Sequence, residues 1–172
     1  MATTQLSLDE YLGTDYEPDR DYVDGELEER NLGEKEHSIT QAFFIKWLAK
    51  HEDEWKLEAC PEIRLRIGAQ RVRVADIAIL PINTPFESVP TRPPLAVIEV
   101  LSPEDRVSRY QQRLDDYRAM GVVNIWVIDP MRHKAFDCSQ GGWLPVKQFA
   151  IVNPPIEIPL APLWTKLEQL HS

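Results

Sequence analysis

Two carboxylates stand in stretches of sequence too apolar to hold them unpartnered. Asp76 lies in the alternating run Arg71–Leu80 and shares its parity with Val72, Val74, Ala78 and Leu80, while Arg71 and Arg73 take the other side. Glu99 lies within LAVIEVL (95–101), a segment apolar on both parities, as expected of a central strand covered on both faces. An uncompensated carboxylate in such a place costs free energy or takes up a proton. Two of them on neighbouring strands also repel each other. A divalent cation relieves both problems. Mg²⁺ prefers carboxylate and carbonyl oxygens and keeps several waters, so Asp76, Glu99 and the main-chain carbonyl of Val100 make a sufficient ligand set. Water on such an ion loses a proton readily, and the ion neutralises charge developing on a phosphoryl group. The alternative pairs Asp76 with Arg64 or Arg66, and Glu99 with another basic side chain.

Arg113 is the third candidate. Val107, Tyr110, Leu114, Tyr117 and Met120 form an apolar stripe at helical spacing, and Arg113 borders it. Because this helix follows the Glu99 segment closely, the Arg113 fork could fold back over the end of that strand and hold a phosphate or a leaving oxygen. An ordinary Arg113–Asp116 surface pair is the alternative. His37, at the start of an earlier helical pattern, either meets a site carboxylate or stands in solvent.

These residues need a frame. Ser7-Leu-Asp-Glu10 has capping-box spacing and predicts a short helix over Leu8–Leu12. DYVDGELEER (21–30) sets Tyr22, Val23 and Leu27 around Asp24-Gly25, a strand pair or a bulged strand. From His37 to Trp55, the positions Ile39, Phe43, Trp47, Leu48 and Trp55 fall on one helical stripe. Strand alternation then takes over. Glu58–Ile67 and Arg71–Leu80 flank the turn Gly68-Ala-Gln70 and predict a hairpin. Pro81–Pro94 reads as a long loop, Leu95–Leu101 as the buried strand, and Ser102–Met120 as a helix capped by Ser102 and stopped by Gly121. NIWVI (124–128) is a second doubly covered strand, ended by an Asp129-Pro130 turn. Weaker strands are expected at Lys134–Cys138 and Trp143–Phe149, then a proline-spaced tail with a short helix at Leu163–Leu170. With 172 residues and no repeat or linker, the expectation is one α/β domain over residues 1–172, a central mixed β-sheet flanked by helices.

In combination, Asp76, the V-I-E-V-L-S-P segment holding Glu99, a following helix with R-L-D-D-Y, and G-V-V-N-I-W-V-I-D-P resemble the Uma-two family of endonucleases. That family is a branch of the PD-(D/E)XK restriction-endonuclease-like superfamily. Upstream, Y-V-D-G-E-L and a helix beginning near His37 match its N-terminal pattern, so the likeness runs from Leu6 to Leu167. The resemblance implies a restriction-endonuclease-like fold and Mg²⁺-dependent hydrolysis of DNA phosphodiesters, with Mn²⁺ able to replace Mg²⁺. It makes Asp76 and Glu99 the catalytic and metal-binding carboxylates, with Glu26 of D-G-E-L, or Asp24 beside it, as an accessory acid. The superfamily's lysine is missing. Its usual place, two residues after Glu99, is Leu101, and the lysine this family carries on the following helix, in a K-L-x-x-Y context, is Arg113 here. Arginine stabilises transition-state charge but cannot act as a general base near neutral pH. Arg113 is therefore expected to work as an electrostatic clamp beside metal-activated water. Ala75 also stands where the superfamily name has Pro. The lost lysine raises a rival: a catalytically degenerate module that keeps the nuclease fold for binding or assembly.

Charge also weighs on the partner. The net charge is −9 and the pI about 4.9, a poor endowment for neutralising phosphates over the whole surface. DNA binding then requires a metal, a local basic patch, or both, and Arg64, Arg66, Arg71 and Arg73 are candidates for a ribbon on backbone phosphates. Cutting both strands of a symmetric duplex favours a homodimer. No apolar run is long enough for a membrane span, and MATTQLSLDEYL lacks the basic flank and apolar core of a secretory signal. Cys60 and Cys138 show no metal-ligand spacing, which suggests a reduced, cytoplasmic protein. His51, His133 and His171 show no ligand spacing either, and the five tryptophans read as core or interface residues rather than a base-stacking platform.

Overall fold

The computed structural model describes residues 5–31 and 33–172. The first four residues of the N-terminal stretch weighed above as a leader lie outside them. In chain order the elements are α1 (Leu8–Leu12), β1 (Asp21–Val23), β2 (Glu26–Glu28), α2 (Lys35–Ala49), α3 (Glu52–Trp55), β3 (Leu57–Gly68), β4 (Arg71–Pro81) and β5 (Ala96–Val100). There follow α4 (Val107–Met120), β6 (Asn124–Asp129), β7 (Lys134–Asp137), β8 (Leu144–Pro145), β9 (Gln148–Ile151), β10 (Ile156–Pro159), α5 (Ala161–Glu168) and a 3₁₀ turn (Gln169–His171).

The α/β class expected from sequence is the one observed. The main sheet runs β2-β1-β4-β5-β6-β7-β8, with β3 paired to β4 along the latter's other edge. All pairings are antiparallel except β5 with β6, which is parallel because α4 carries the chain across between them. The strands β5 and β6 are buried almost throughout, as segments apolar on both parities must be. One face packs Ile77, Ile79, Ile98, Trp126 and Ile128 against Phe44 and Leu48 of α2. The opposite face packs Ala75, Ala78, Val97, Ile125 and Val127 against Leu114 and Tyr117 of α4.

Alternation on β4 breaks at Asp76. Ala75 and Ala78 share the α4 core, while Ile77 and Ile79 belong to the α2 core. Across from Asp76, between the pairs Pro61–Ile77 and Ile63–Ala75, Glu62 has a φ of 49°. The kink in β3 at this level breaks the expected uniform apolar side around Asp76.

Several boundaries differ from expectation. The helical pattern His37–Trp55 divides into α2 and α3 around a turn at Lys50–His51, which lets Lys56, at φ 55°, send the chain back into β3. The innermost stripe of α2 is Thr40, Phe44 and Leu48, with Ile39, Phe43 and Trp47 half-buried beside it. Ser102 does not cap α4. Its N–H donates to Asp105 Oδ2 at 2.6 Å in a separate turn, and α4 begins at Val107 with Arg106 as N-cap. Gly121 does end α4, at φ 100°, where a side chain would be strained. The expected Trp143–Phe149 strand divides between β8 in the main sheet and β9, which pairs with β10 in a second, two-stranded sheet. Phe149, Ile156 and Ile158 of that small sheet, with Leu160 at the start of α5, complete the α2 core. Trp126 stacks on Phe149 at 4.7 Å, a core role for this tryptophan.

Candidate active site

β3 covers β4 along one edge, but the other edge is shared. There β1 pairs with Arg71 and Val72, and β5 pairs with Ile77–Ile79. Between the two partners a gap opens at residues 73–76, where the backbone groups that face this edge must be satisfied by something other than a strand. Side chains fill it. Asp21 accepts from the Val74 N–H at 2.7 Å, Arg113 donates to the Val74 carbonyl at 2.9 Å, and Gln41 donates to the Asp76 carbonyl at 2.8 Å. The gap thus draws in residues from β1, α2 and α4.

Asp76 and Glu99, 2% and 1% exposed, meet at this gap. Asp76 Oδ2 accepts from the Val100 N–H at 2.8 Å and lies 3.5 Å from His37 Nε2, while Oδ1 accepts from Arg30 at 2.7 Å. Glu99 Oε1 accepts from Arg113 at 3.1 Å and from the Tyr117 hydroxyl. Among the described residues no donor reaches its Oε2. Arg113 spends its other terminal nitrogen on Asp21. Asp76, Glu99 and Val100 border one polar cavity of about 30 Å³, together with Arg30, His37, Ser102, Arg109 and Arg113. That is room for a water-sized occupant.

The two carboxyls are driven in opposite directions. Burial raises that of Asp76, but the hydrogen bond and charge of His37, the charge of Arg30 and the Val100 N–H outweigh it and hold it well below the usual range. Burial pushes Glu99 up to about 8, and the negative charge of Asp76 adds to this. Arg113 and the Tyr117 hydroxyl oppose the rise without cancelling it. Burial alone would lower His37, yet its bond to Asp76 carries it above its ordinary value. A neutral acid therefore sits beside an ionised one, the arrangement in which one proton separates two buried carboxylates.

Of the residues singled out from sequence, Asp76, Glu99, Val100 and Arg113 are brought together. Glu26 is not: it is exposed on β2, opposite Val23, and does not line the cavity. Asp24 pairs with Arg71 at 2.7 Å on the surface side. The acid of the first hairpin that enters the gap is Asp21, because β1, not β2, lies against β4. Arg113 does not pair with Asp116, which takes Arg71 and Arg73 instead. His37 is buried against Asp76 rather than solvated. Gly33 makes this possible, since a Cβ there would lie 2.7 Å from His37 Nδ1.

The proposed basic ribbon is likewise turned inward. Arg64 forks onto Asp19 at 2.7 and 2.8 Å. Arg71 binds Asp24 and Asp116, and Arg73, 1% exposed, binds Asp21, Glu28 and Asp116. Of the four, Arg66 alone has no acidic partner among the described residues. The carboxylates that hold them come from the chain after α1, from β1, β2 and the turn between them, and from α4. Arg30, Asp21, Glu62 and Tyr117 went unrecognised in the sequence. Nothing distinguishes Arg30 within the charged run E-L-E-E-R, and Tyr117 reads as one more residue of an apolar stripe.

A family model described as "Putative restriction endonuclease" (Uma2) matches residues 8–162. The crystal structure of a putative nuclease belonging to DUF820 from Anabaena variabilis matches with a TM-score of 0.79 at 19% identity, covering 94% of this chain and 99% of that one. At that identity the likeness speaks for the fold. No curated protein matches the chain.

Proposed function

The chain belongs to the Uma2 restriction endonuclease family and is a nuclease-like domain, and from that premise we propose that it hydrolyses DNA phosphodiester bonds with the help of one divalent cation. The observation that supports this is the convergence of Asp76, Glu99 and Val100 on one small polar cavity, with Glu99 Oε2 left without a donor among the described residues. The two carboxyl groups, and the Val100 carbonyl with the lone pair left beside its 3.3 Å bond from the Tyr110 hydroxyl, offer oxygen, which suits Mg²⁺ or Mn²⁺. Among the described residues no group of three or more His, Cys, Asp or Glu gathers, so water would complete the coordination. When bound, the cation supplies a water of lowered pKa and neutralises charge on the phosphoryl oxygens.

The remaining roles fall to the chain's own groups. His37 and the Val100 N–H hold Asp76 ionised and aimed. Tyr117 and Arg113 fix Glu99. Arg113 keeps its charge at every relevant pH, so it takes no proton and contributes a fixed positive potential beside the reacting phosphate. Contact with DNA cannot rest on the inward-turned arginines of β3 and β4. Two copies related by a two-fold axis would place one site on each strand. A second reading, a nuclease fold that binds or assembles without cutting, is favoured by one observation: a guanidinium group already holds each of the two carboxyl groups.

Nicking of plasmid DNA with Mg²⁺ and with Mn²⁺ separates the two, comparing wild type, Asp76→Ala and Arg113→Lys. Metal-dependent nicking lost in Asp76→Ala is the expected result. If none of the three cuts, while wild type still binds DNA or a protein partner, the non-cutting reading prevails.

A further inference from the structure

Arg30 joins two acids in very different settings. One terminal nitrogen donates to Asp76 Oδ1 at 2.7 Å inside the gap, and the other donates to Glu62 Oε2. The Asp76 side chain is 3% exposed and that of Glu62 46%. Glu62 is held from two sides: its own φ of 49° kinks β3 there, and Gln41 donates to its second oxygen at 3.0 Å. Arg30 also lines the cavity bordered by Asp76, Glu99 and Val100.

A guanidinium cannot shed its charge. Arg30 and a divalent cation therefore compete for Asp76, and at such separations like charges repel. Glu62 gives Arg30 a second anchor. Pivoting on that bond, the side chain can release Asp76 and present its freed N–H groups to the cavity, at the height where a phosphate must approach the two carboxylates. Fork geometry suits a phosphate oxygen pair.

Resting on the nuclease reading above, we infer that Arg30 is an exchangeable gate: it closes the site by binding Asp76 and, once Asp76 is taken by a cation, swings on Glu62 to bind the scissile phosphate of DNA. Charge balance drives the exchange. Arg30 leaves an oxygen that has acquired a dication and meets an anion that the dication has drawn in.

Calorimetric titration of the full chain with Mn²⁺, paired with fluorescence anisotropy of a short labelled duplex in Ca²⁺, tests this. Arg30→Gln should bind Mn²⁺ roughly tenfold more tightly and the duplex roughly tenfold more weakly, each the equivalent of one charged hydrogen bond gained or lost. Glu62→Gln leaves Arg30 to Asp76 alone and should weaken Mn²⁺ binding several-fold. Its half-exposed position keeps the test open should Arg30→Gln fail to fold. A purely structural Arg30 would weaken both ligands together. Unchanged or weakened Mn²⁺ binding in Arg30→Gln, or an unchanged duplex affinity, overturns the gate and leaves the nuclease reading standing. No Mn²⁺ binding by any of the three proteins overturns that reading, and the gate with it.

Discussion

Raising the pH should destabilise this protein through Glu99. In the folded chain burial and the charge of Asp76 keep Glu99 protonated up to about pH 8, whereas unfolded it releases its proton near its ordinary 4.5. Between those values the folded state binds more protons than the unfolded state, so stability falls as pH rises. His37, raised above 6.5 by Asp76, acts in the same sense over the upper part of the window. Asp76 acts oppositely: held low, it contributes stability above 3.8 that is lost as pH falls through and below that value. For these groups the optimum should therefore lie near pH 4, between 3.8 and 4.5, where the two losses meet.

For Glu99 the displacement from 4.5 to about 8, at about 1.4 kcal/mol per pH unit, comes to about 5 kcal/mol if the whole of it is lost. In a chain of this size that is a fall of roughly 10–20 °C in Tm. The groups that set it are Arg113 and Tyr117 from α4, Asp76 from β4, and Arg30. Urea denaturation of wild type and Glu99→Gln at pH 5.5, 7.0 and 8.5, without added metal, measures the effect. Wild type should weaken steadily, and Glu99→Gln should keep only the smaller slope left by His37. A wild-type stability that is level or rising to pH 8.5, or a Glu99→Gln curve parallel to wild type, would refute the reasoning.

Three further expectations follow from the same contacts. Arg113→Leu leaves Glu99 and Asp21 buried without their shared partner, and should cost about 3–5 kcal/mol in urea melts; a cost under about 1 kcal/mol would mean the pairs contribute little. Gly33→Ala drives a Cβ to 2.7 Å from His37 Nδ1, so the ring must move. A changed His37 titration by NMR, with a loss of about 1–2 kcal/mol, is expected, and an unshifted His37 signal would contradict it. Gly121→Ala puts a side chain at φ 100° behind α4 and should lower stability by about 1 kcal/mol without changing DNA or metal binding.

The frame was legible because its signals are local. A capping box at Ser7–Glu10, two alternating runs around a short turn, and two strands apolar on both parities each specify their own conformation. What failed depended on which partner a segment meets rather than on its own residue types. Ile156–Pro159 alternates like a strand, but its prolines hid it until Gln148–Ile151 was seen to pair with it. Ser102 has the residue type of a cap, but it closes a separate turn with Asp105 and α4 starts only at Val107. The carboxylates Asp76 and Glu99 were legible because they are wrong for their surroundings. Their partners were less so: the sequence leaves His37 between a site carboxylate and solvent, while Arg30 and Asp21 are ordinary in their own segments and become part of the site only where β1 and β5 part along β4.

Arginine at position 113 gives the gap its coherence. One planar fork reaches Asp21 on β1, the Val74 carbonyl on β4 and Glu99 on β5 at once. A lysine, with donors radiating from a single nitrogen, has no fork with which to hold three strands in register. Where the resemblance expects a lysine, Arg113 thus provides a brace across the gap that β1 and β5 leave along β4. Arg113→Lys should accordingly loosen the β1 hairpin, and any base chemistry it restores comes with a less rigid Glu99. The acidity of the chain fits the same logic. Asp21, Asp116 and Glu28 bind Arg73 and Arg113 inside the fold, so the positive charge of those arginines closes the sheet instead of facing outward.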